Sequence, residues 1–363
     1  MRFLICAGGT GGGVYPALTV LQTLGAEANP VLWVGGQGGL EAALVQRAGV
    51  PFTAIPAAGL HGVGITQLPR NALLLLRGLI ASQRILKDFK PDVLMFTGGY
   101  VAVPMALTAR RIPTLLYVPD IEPGWALKFL AHFADVIAVT AEETRAYLPA
   151  RARVVVTGYP TRPELSEWTP EKGKRWLGLS HQFPTLLVYG GSRGARTINR
   201  SLLACLPQLL DFCQIIHISG ELDWKEVETF RSSLPEILQK RYRAFPYVHE
   251  MGAVLASADL AITRAGASSL GELPLFGLPA ILVPYPYAWR YQKVNAAYLE
   301  RCGAAIVVEN EQLSERLLPL VKELLADQPR LSQMRQTMQL LARPQAAREL
   351  AVLVRELAGG LQG

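Results

Sequence analysis

Twice in this chain a short, mostly apolar run ends in a cluster of glycines. Phe3-Leu4-Ile5-Cys6-Ala7 leads into Gly8-Gly9-Thr10-Gly11-Gly12-Gly13, and Thr185–Tyr189 leads into Gly190-Gly191-Ser192-Arg193-Gly194-Ala195. Uncharged runs of this length, bounded by turn residues, read as strands buried on both faces of a parallel sheet. A helical pattern over 16–24 follows the first turn. Strand, glycine turn and helix in that order aim backbone amides and the positive end of a helix at an anion. A tight bend with no ligand is the alternative, but five glycines in six residues favour phosphate. The first turn is not a P-loop, since no Lys-Ser/Thr follows it, and it lacks the acidic residue that backs a dinucleotide loop. The second turn adds a hydroxyl at Ser192 and a guanidinium at Arg193, both suited to phosphate oxygens.

The same rhythm repeats around each turn. Residues 31–34, 92–96, 114–118 and 136–140 read as strands of a first half, with one more strand and a Gly-Tyr-Pro turn over 154–162, and 214–219, 260–263 and 280–283 as strands of a second, with helical stretches between. At 363 residues the chain exceeds what one hydrophobic core usually serves. The expected fold is therefore α/β, with two Rossmann-like, doubly wound domains that place their ligands at the carboxyl ends of the strands, facing each other across a cleft. A boundary near residue 156 divides domain 1–156 from domain 157–342, and the polar, Pro-containing stretch 162–184 reads as a linker.

Half of the residues are hydrophobic and 18% charged, which excludes a disordered chain. A net charge of +7 calls for an anionic partner. Nucleic acid is not that partner, because no stripe of interleaved aromatic and basic residues and no binding motif is present. Over 70–90 the sequence interleaves Leu73, Leu74, Leu75, Leu76, Leu79 and Ile80 with Arg70, Arg77, Arg84, Lys87 and Lys90. That pattern suits a helix lying on anionic lipid, and equally a core helix with a solvated basic edge. No stretch reaches the roughly 20 apolar residues needed to span a bilayer, and no targeting segment is expected at the N-terminus. Cys6, Cys205, Cys213 and Cys302 lack metal or redox spacing and read as reduced thiols, which favours the cytoplasm.

A third motif, Arg264-Ala265-Gly266-Ala267-Ser268-Ser269-Leu270-Gly271-Glu272, follows a strand and opens a helix. A carboxylate one turn into such a helix can take both hydroxyls of a ribose. It can equally be a first-turn acid favoured by the helix dipole. Gln292 and Asn295 lie three apart on a helical stretch and share a face, and their amides suit sugar hydroxyls as well as a solvated surface.

In this order and spacing, residues 7–12, Gly98-Gly99-Tyr100, 158–162, Gly190-Gly191-Ser192, His217-Ile218-Ser219-Gly220, 264–272 and Gln292 with Asn295 resemble the MurG glycosyltransferases. The resemblance covers nearly the whole chain. It implies a GT-B fold, with a C-terminal segment 343–363 joining the first domain. It also implies inverting transfer of N-acetylglucosamine from UDP-N-acetylglucosamine to a polyprenyl-diphosphate-linked muramyl-pentapeptide, with no cofactor and no metal. The absence of an Asp-x-Asp pair agrees with the last point. Membrane-surface docking on anionic lipid, peripheral on the cytoplasmic face, follows from such an acceptor.

By the same resemblance the second domain holds the donor. Arg162 and the loop beginning at Ser192, with Gly191, stand near the nucleotide, Ala267 and Ser268 near the donor, Glu272 on the ribose, and Gln292 with Asn295 at the sugar. Thr10, Gly11, Gly12, Gly13 and Tyr100 stand around the acceptor and the reaction centre. The chain departs from the family there: Gly13 replaces a histidine, Tyr117-Val118-Pro119-Asp120 replaces His-Glu-Gln-Asn, and His61 replaces an arginine. Since the attacking hydroxyl must lose its proton, Asp120 or His61 is expected to be the base. The altered residues also leave open a different glycolipid acceptor, or nucleotide-sugar binding without turnover.

Overall fold

A computed structural model describes residues 1–8, 11–39, 41–57, 68–191, 194–287 and 290–360, with backbone alone at positions 11, 68 and 69. The chain divides into two compact units, Met1–Thr161 with Arg343–Gly363, and Arg162–Ala342. In the first, strands β1 (Phe3–Ala7), β2 (Val31–Gly36), β3 (Phe52–Ile55), β4 (Val93–Gly98), β5 (Thr114–Val118), β6 (Val136–Val139) and β7 (Val154–Val156) form a parallel sheet in the order β3-β2-β1-β4-β5-β6-β7. In the second, β8 (Thr185–Tyr189), β9 (Gln214–Ile218), β10 (Tyr242–Phe245), β11 (Leu260–Thr263), β12 (Ala280–Leu282) and β13 (Ala305–Val307) form another, in the order β10-β9-β8-β11-β12-β13.

The central strands carry almost no polar side chains because helices cover both faces of each sheet; Phe3, Leu4, Ile5, Leu186, Leu187 and Val188 are fully buried. Strand starts are satisfied by a repeated device. An aspartate just ahead of a neighbouring strand accepts the orphan N–H: Asp92 from Arg2 at 2.7 Å, Asp135 from Thr114 at 2.7 Å, and Asp259 from Thr185 at 2.9 Å. In each sheet the order reverses beside the strand that precedes a glycine turn, β1 between β2 and β4, and β8 between β9 and β11. Those reversals are where doubly wound sheets open a crevice for ligands.

Residues 162–184, read above as a linker, are instead structured and belong to the second unit. Thr169 caps helix Pro170–Leu177 by accepting from the Lys172 N–H, Pro170 takes the first position, and Gly178 ends it in the left-handed conformation. The helix sits close on Met251–Ser257, with Gly173 against the Ala253 carbonyl and the Ser257 hydroxyl. The last helix, Ala346–Ala358, packs on helix Gly11–Leu24 and on β4 and β5, burying Leu350, Val354 and Leu357. Arg355 closes it with a two-pronged bond to Glu27 at 2.6 and 3.0 Å. Cys6, Cys205 and Cys213 are buried and Cys302 half-buried, each outside any disulfide.

Candidate functional site

In the second unit the turns after β8 and β11 meet at the reversal of the sheet. Gly194 donates to the Gly191 carbonyl at 2.9 Å, and both residues have positive φ, +83° at Gly191 and +75° at Gly194. Gly194 has no alternative, because the Ser219 carbonyl oxygen lies where its Cβ would be. Ser192 and Arg193 lie outside the described residues. After β11, Arg264 is buried and braces the ends of neighbouring segments. Its Nη1 donates to the Val283 carbonyl at 3.0 Å and to Asn310 Oδ1 at 2.9 Å, and its guanidinium lies over the Tyr285 ring.

Ala267 is buried and Ser268 half-buried at the start of helix Ser269–Leu275. Glu272 follows one turn in, its N–H donating to the Ser268 carbonyl at 2.8 Å. The carboxyl is half-buried, and desolvation pushes its pKa up to about 7, with the Arg162 guanidinium pulling the other way. Arg162 and Glu272, far apart in sequence, are thus electrostatic neighbours. Gln292 Oε1 accepts from the Tyr285 N–H at 2.9 Å, so its side chain turns toward the segment after β12. Asn295 is fully buried, and its amide donates to the Ala265 carbonyl at 3.1 Å. The two are three residues apart on one helix, yet Asn295 is turned to the backbone at Ala265 and Gln292 to the backbone at Tyr285.

In the first unit the turns after β1, β4 and β5, strands adjacent in the sheet, come to one end. Gly8 donates to the Gly98 carbonyl at 3.3 Å, and a Cβ on Gly99, whose φ is +86°, would come within 2.8 Å of the Gly8 carbonyl oxygen. Thr97 Oγ1 donates to the Gly13 carbonyl at 2.7 Å. Gly11, Gly12 and Gly13 are not loop but the first turn of helix Gly11–Leu24. Tyr100 is 45% exposed, in the turn that leads from β4 into helix Ala102–Thr108. Thr10 and His61 lie outside the described residues.

Asp120 is half-buried just past β5. Tyr117, at the position where the resemblance has histidine, is fully buried; its hydroxyl bonds Thr140 at 3.0 Å and donates to the Gly158 carbonyl at 3.2 Å. Burial raises the phenol well above its ordinary range, and the charge of Asp120 adds to that. Tyr117 is therefore a neutral brace. Sequence reading missed Glu41, a carboxylate only 2% exposed that accepts the Gly36 N–H at 2.8 Å and flanks Gly8. Its one sequence signal, an acid in a helical first turn, does not separate it from a surface residue.

Two doubly wound sheets, each with a glycine turn at its reversal, define the GT-B fold. The chain belongs to glycosyltransferase family 28. The N-terminal domain model of that family matches residues 3–139 and the C-terminal domain model residues 185–350. A transferase of Roseiflexus sp. (strain RS-1), named UDP-N-acetylglucosamine--N-acetylmuramyl-(pentapeptide) pyrophosphoryl-undecaprenol N-acetylglucosamine transferase, is 38% identical over 98% of this chain and 95% of its own. The protein of the same name from Desulforudis audaxviator is 38% identical over 99% of both chains. Among solved structures, Acinetobacter baumannii MurG superposes with a TM-score of 0.80 at 27% identity, covering 98% of this chain and 99% of that one.

Proposed function

We propose that the protein transfers N-acetylglucosamine from UDP-N-acetylglucosamine to the muramyl sugar of a polyprenyl-diphosphate-linked pentapeptide, with inversion, as a step of peptidoglycan synthesis. The observation that carries this reading is likeness from end to end, through both units, to transferases named for that reaction. Arg162 and the turn from Gly191 through Ser192 receive the diphosphate, Ala267 and Ser268 line the donor, and Glu272 takes the ribose hydroxyls. Gln292 serves the sugar, while Asn295 braces the turn in front of it. Departing UDP takes the electron pair of the C1–O bond and is stabilised by backbone amides and guanidinium.

The acceptor hydroxyl must lose its proton as the new C–O bond forms. With Tyr117 locked to Thr140 and Gly158, the carboxylate of Asp120 is the base we favour, with His61 as the second candidate. We assign Tyr100, Thr10 and the glycines at 11–13 to the acceptor. No helix among the described residues is long and apolar enough to cross a membrane. Helix Leu68–Phe89, with exposed Leu73, Leu76 and Ile80, instead brings the enzyme onto an anionic lipid surface, peripherally, on the cytoplasmic face where UDP-sugars are found.

UDP release with UDP-N-acetylglucosamine and a short-chain lipid-linked muramyl-pentapeptide tests the reading. Turnover lost in both Asp120→Asn and Glu272→Ala is the expected result. A wild type that binds UDP-N-acetylglucosamine but releases no UDP with this acceptor points to another glycolipid, the reading that the changes at Gly13 and Tyr117 favour, or to binding without turnover.

A further inference from the structure

Behind the Gly190–Gly194 turn runs a buried chain of polar side chains that the reaction does not use. His217, fully buried on β9, meets the Tyr242 hydroxyl through Nδ1 at 2.6 Å and Asn199 Oδ1 through Nε2 at 3.0 Å. Asn199 Nδ2 donates to the Ser219 carbonyl at 2.9 Å and to Asp223 Oδ2 at 2.8 Å. Asp223 Oδ1 accepts from Arg196 Nε at 2.9 Å, and Arg196 is the first residue of the helix that follows the turn.

Every proton in this chain has one place. A carbonyl and a carboxylate only accept, so Asn199 must face them with its NH2 and turn its oxygen to His217. His217 Nε2 then carries the hydrogen, and Nδ1 of the neutral ring accepts from Tyr242. Desolvation holds the imidazole pKa down to about 3, against the pull of Asp223, so the ring stays neutral across the working range. The far end of the chain grips the glycine turn from two sides. The Ser219 carbonyl, fixed by Asn199, presses on Gly194 where no Cβ fits, and Asp223 holds Arg196 at the helix start.

We propose that Tyr242, His217 and Asn199 are positioning residues for the diphosphate of the donor, acting through the Ser219 carbonyl on Gly194 and through Asp223 on Arg196 to hold the end of the glycine turn and the helix start in place. This rests on reading that turn as the diphosphate holder. A displacement of about 1 Å in such a turn is enough to cost a large factor in binding or rate.

The test is calorimetric titration of UDP into the full chain for the wild type, Asn199→Ala, Tyr242→Phe and Leu206→Ala. Leu206 is a fully buried core residue of the same helix that has no part in the network. Loss of preorganisation is expected to weaken UDP about tenfold in Asn199→Ala and a few-fold in Tyr242→Phe. Leu206→Ala, which loosens the same unit at least as much, should stay within about twofold of the wild type. Unchanged affinity in a folded Asn199→Ala overturns the proposal, as does weakening that follows lost stability alike in all three. Should Asn199→Ala fail to fold, Tyr242→Phe decides, since it removes one hydroxyl and keeps the volume. A wild type that binds no UDP removes the donor reading and this proposal with it, a result distinct from the others because it appears before any substitution.

Discussion

Glu272 keeps its proton over a range in which most glutamates have lost theirs. Its folded pKa of about 7 lies above the ordinary 4.5, so its favourable contribution is complete below about 4.5 and is lost as pH rises through 7. Glutamine does not ionise and escapes that loss. Glu272→Gln should therefore gain thermal stability relative to the wild type between pH 5 and pH 8, by about 1–3 kcal/mol once solvent access is allowed for. Its affinity for UDP should fall over the same range. Differential scanning of both proteins across pH checks the sign, and a constant difference would contradict it. Tyr117→Phe removes two buried hydrogen bonds and should lower stability in urea by about 1–3 kcal/mol. Residue positions were legible where they follow from spacing, as with Glu272 one turn into the helix after β11. They were hidden where a side chain meets distant backbone. Nothing local to Tyr117 or Asn199 announces Gly158 or Ser219, and the spacing of Asn295 does not reveal its full burial.

Helix Leu68–Phe89 carried two readings, lipid-facing or core; one side of it is packed, and the opposite side is an exposed apolar stripe. Gly78 lies tight on the Pro56 carbonyl and the Pro104 ring, with Ser82 fully buried a turn later. On the other side Leu73, Leu76 and Ile80 are 48%, 57% and 52% exposed, a stripe that Arg77, Arg84 and Lys87 flank. Replacing Leu76 and Ile80 with glutamate should cut sedimentation with anionic vesicles at least about tenfold, since two apolar contacts are lost and two repulsions gained. UDP binding should stay unchanged, and equal loss of both would mean misfolding. Central strands such as Thr114–Val118 and Leu260–Thr263 are readable because burial on both faces leaves them uniformly apolar. The edge strands Phe52–Ile55, Tyr242–Phe245 and Ala305–Val307 escaped, being short and only partly buried. In 162–184 charge on the outer face masked a helix whose Thr-Pro start and Gly end were both present.

At the scale of the molecule, the chain leaves the first unit after Thr161 and returns to it at Arg343, whose side chain lies against Gly158. The two-fold repetition of strand and glycine turn was legible in the sequence. The return was not, because no periodicity says which sheet a terminal helix covers, and it came only from family resemblance. Each unit has its own core, one around Leu186, Ile215 and Ile262 and one around Leu4, Phe96 and Leu116. A chain ending at Ala342 should therefore keep UDP binding while the first unit loses its cooperative unfolding transition, as followed by calorimetry with and without UDP. Loss of UDP binding as well would mean that the cores do not stand alone. Helix Ala346–Ala358 also sets an order of events during synthesis. It is translated after every strand of both sheets, so the unit that begins the chain is the last to be completed. Until then the face awaiting Leu350, Val354 and Leu357 stays open on the nascent chain, and the second unit is finished before the first.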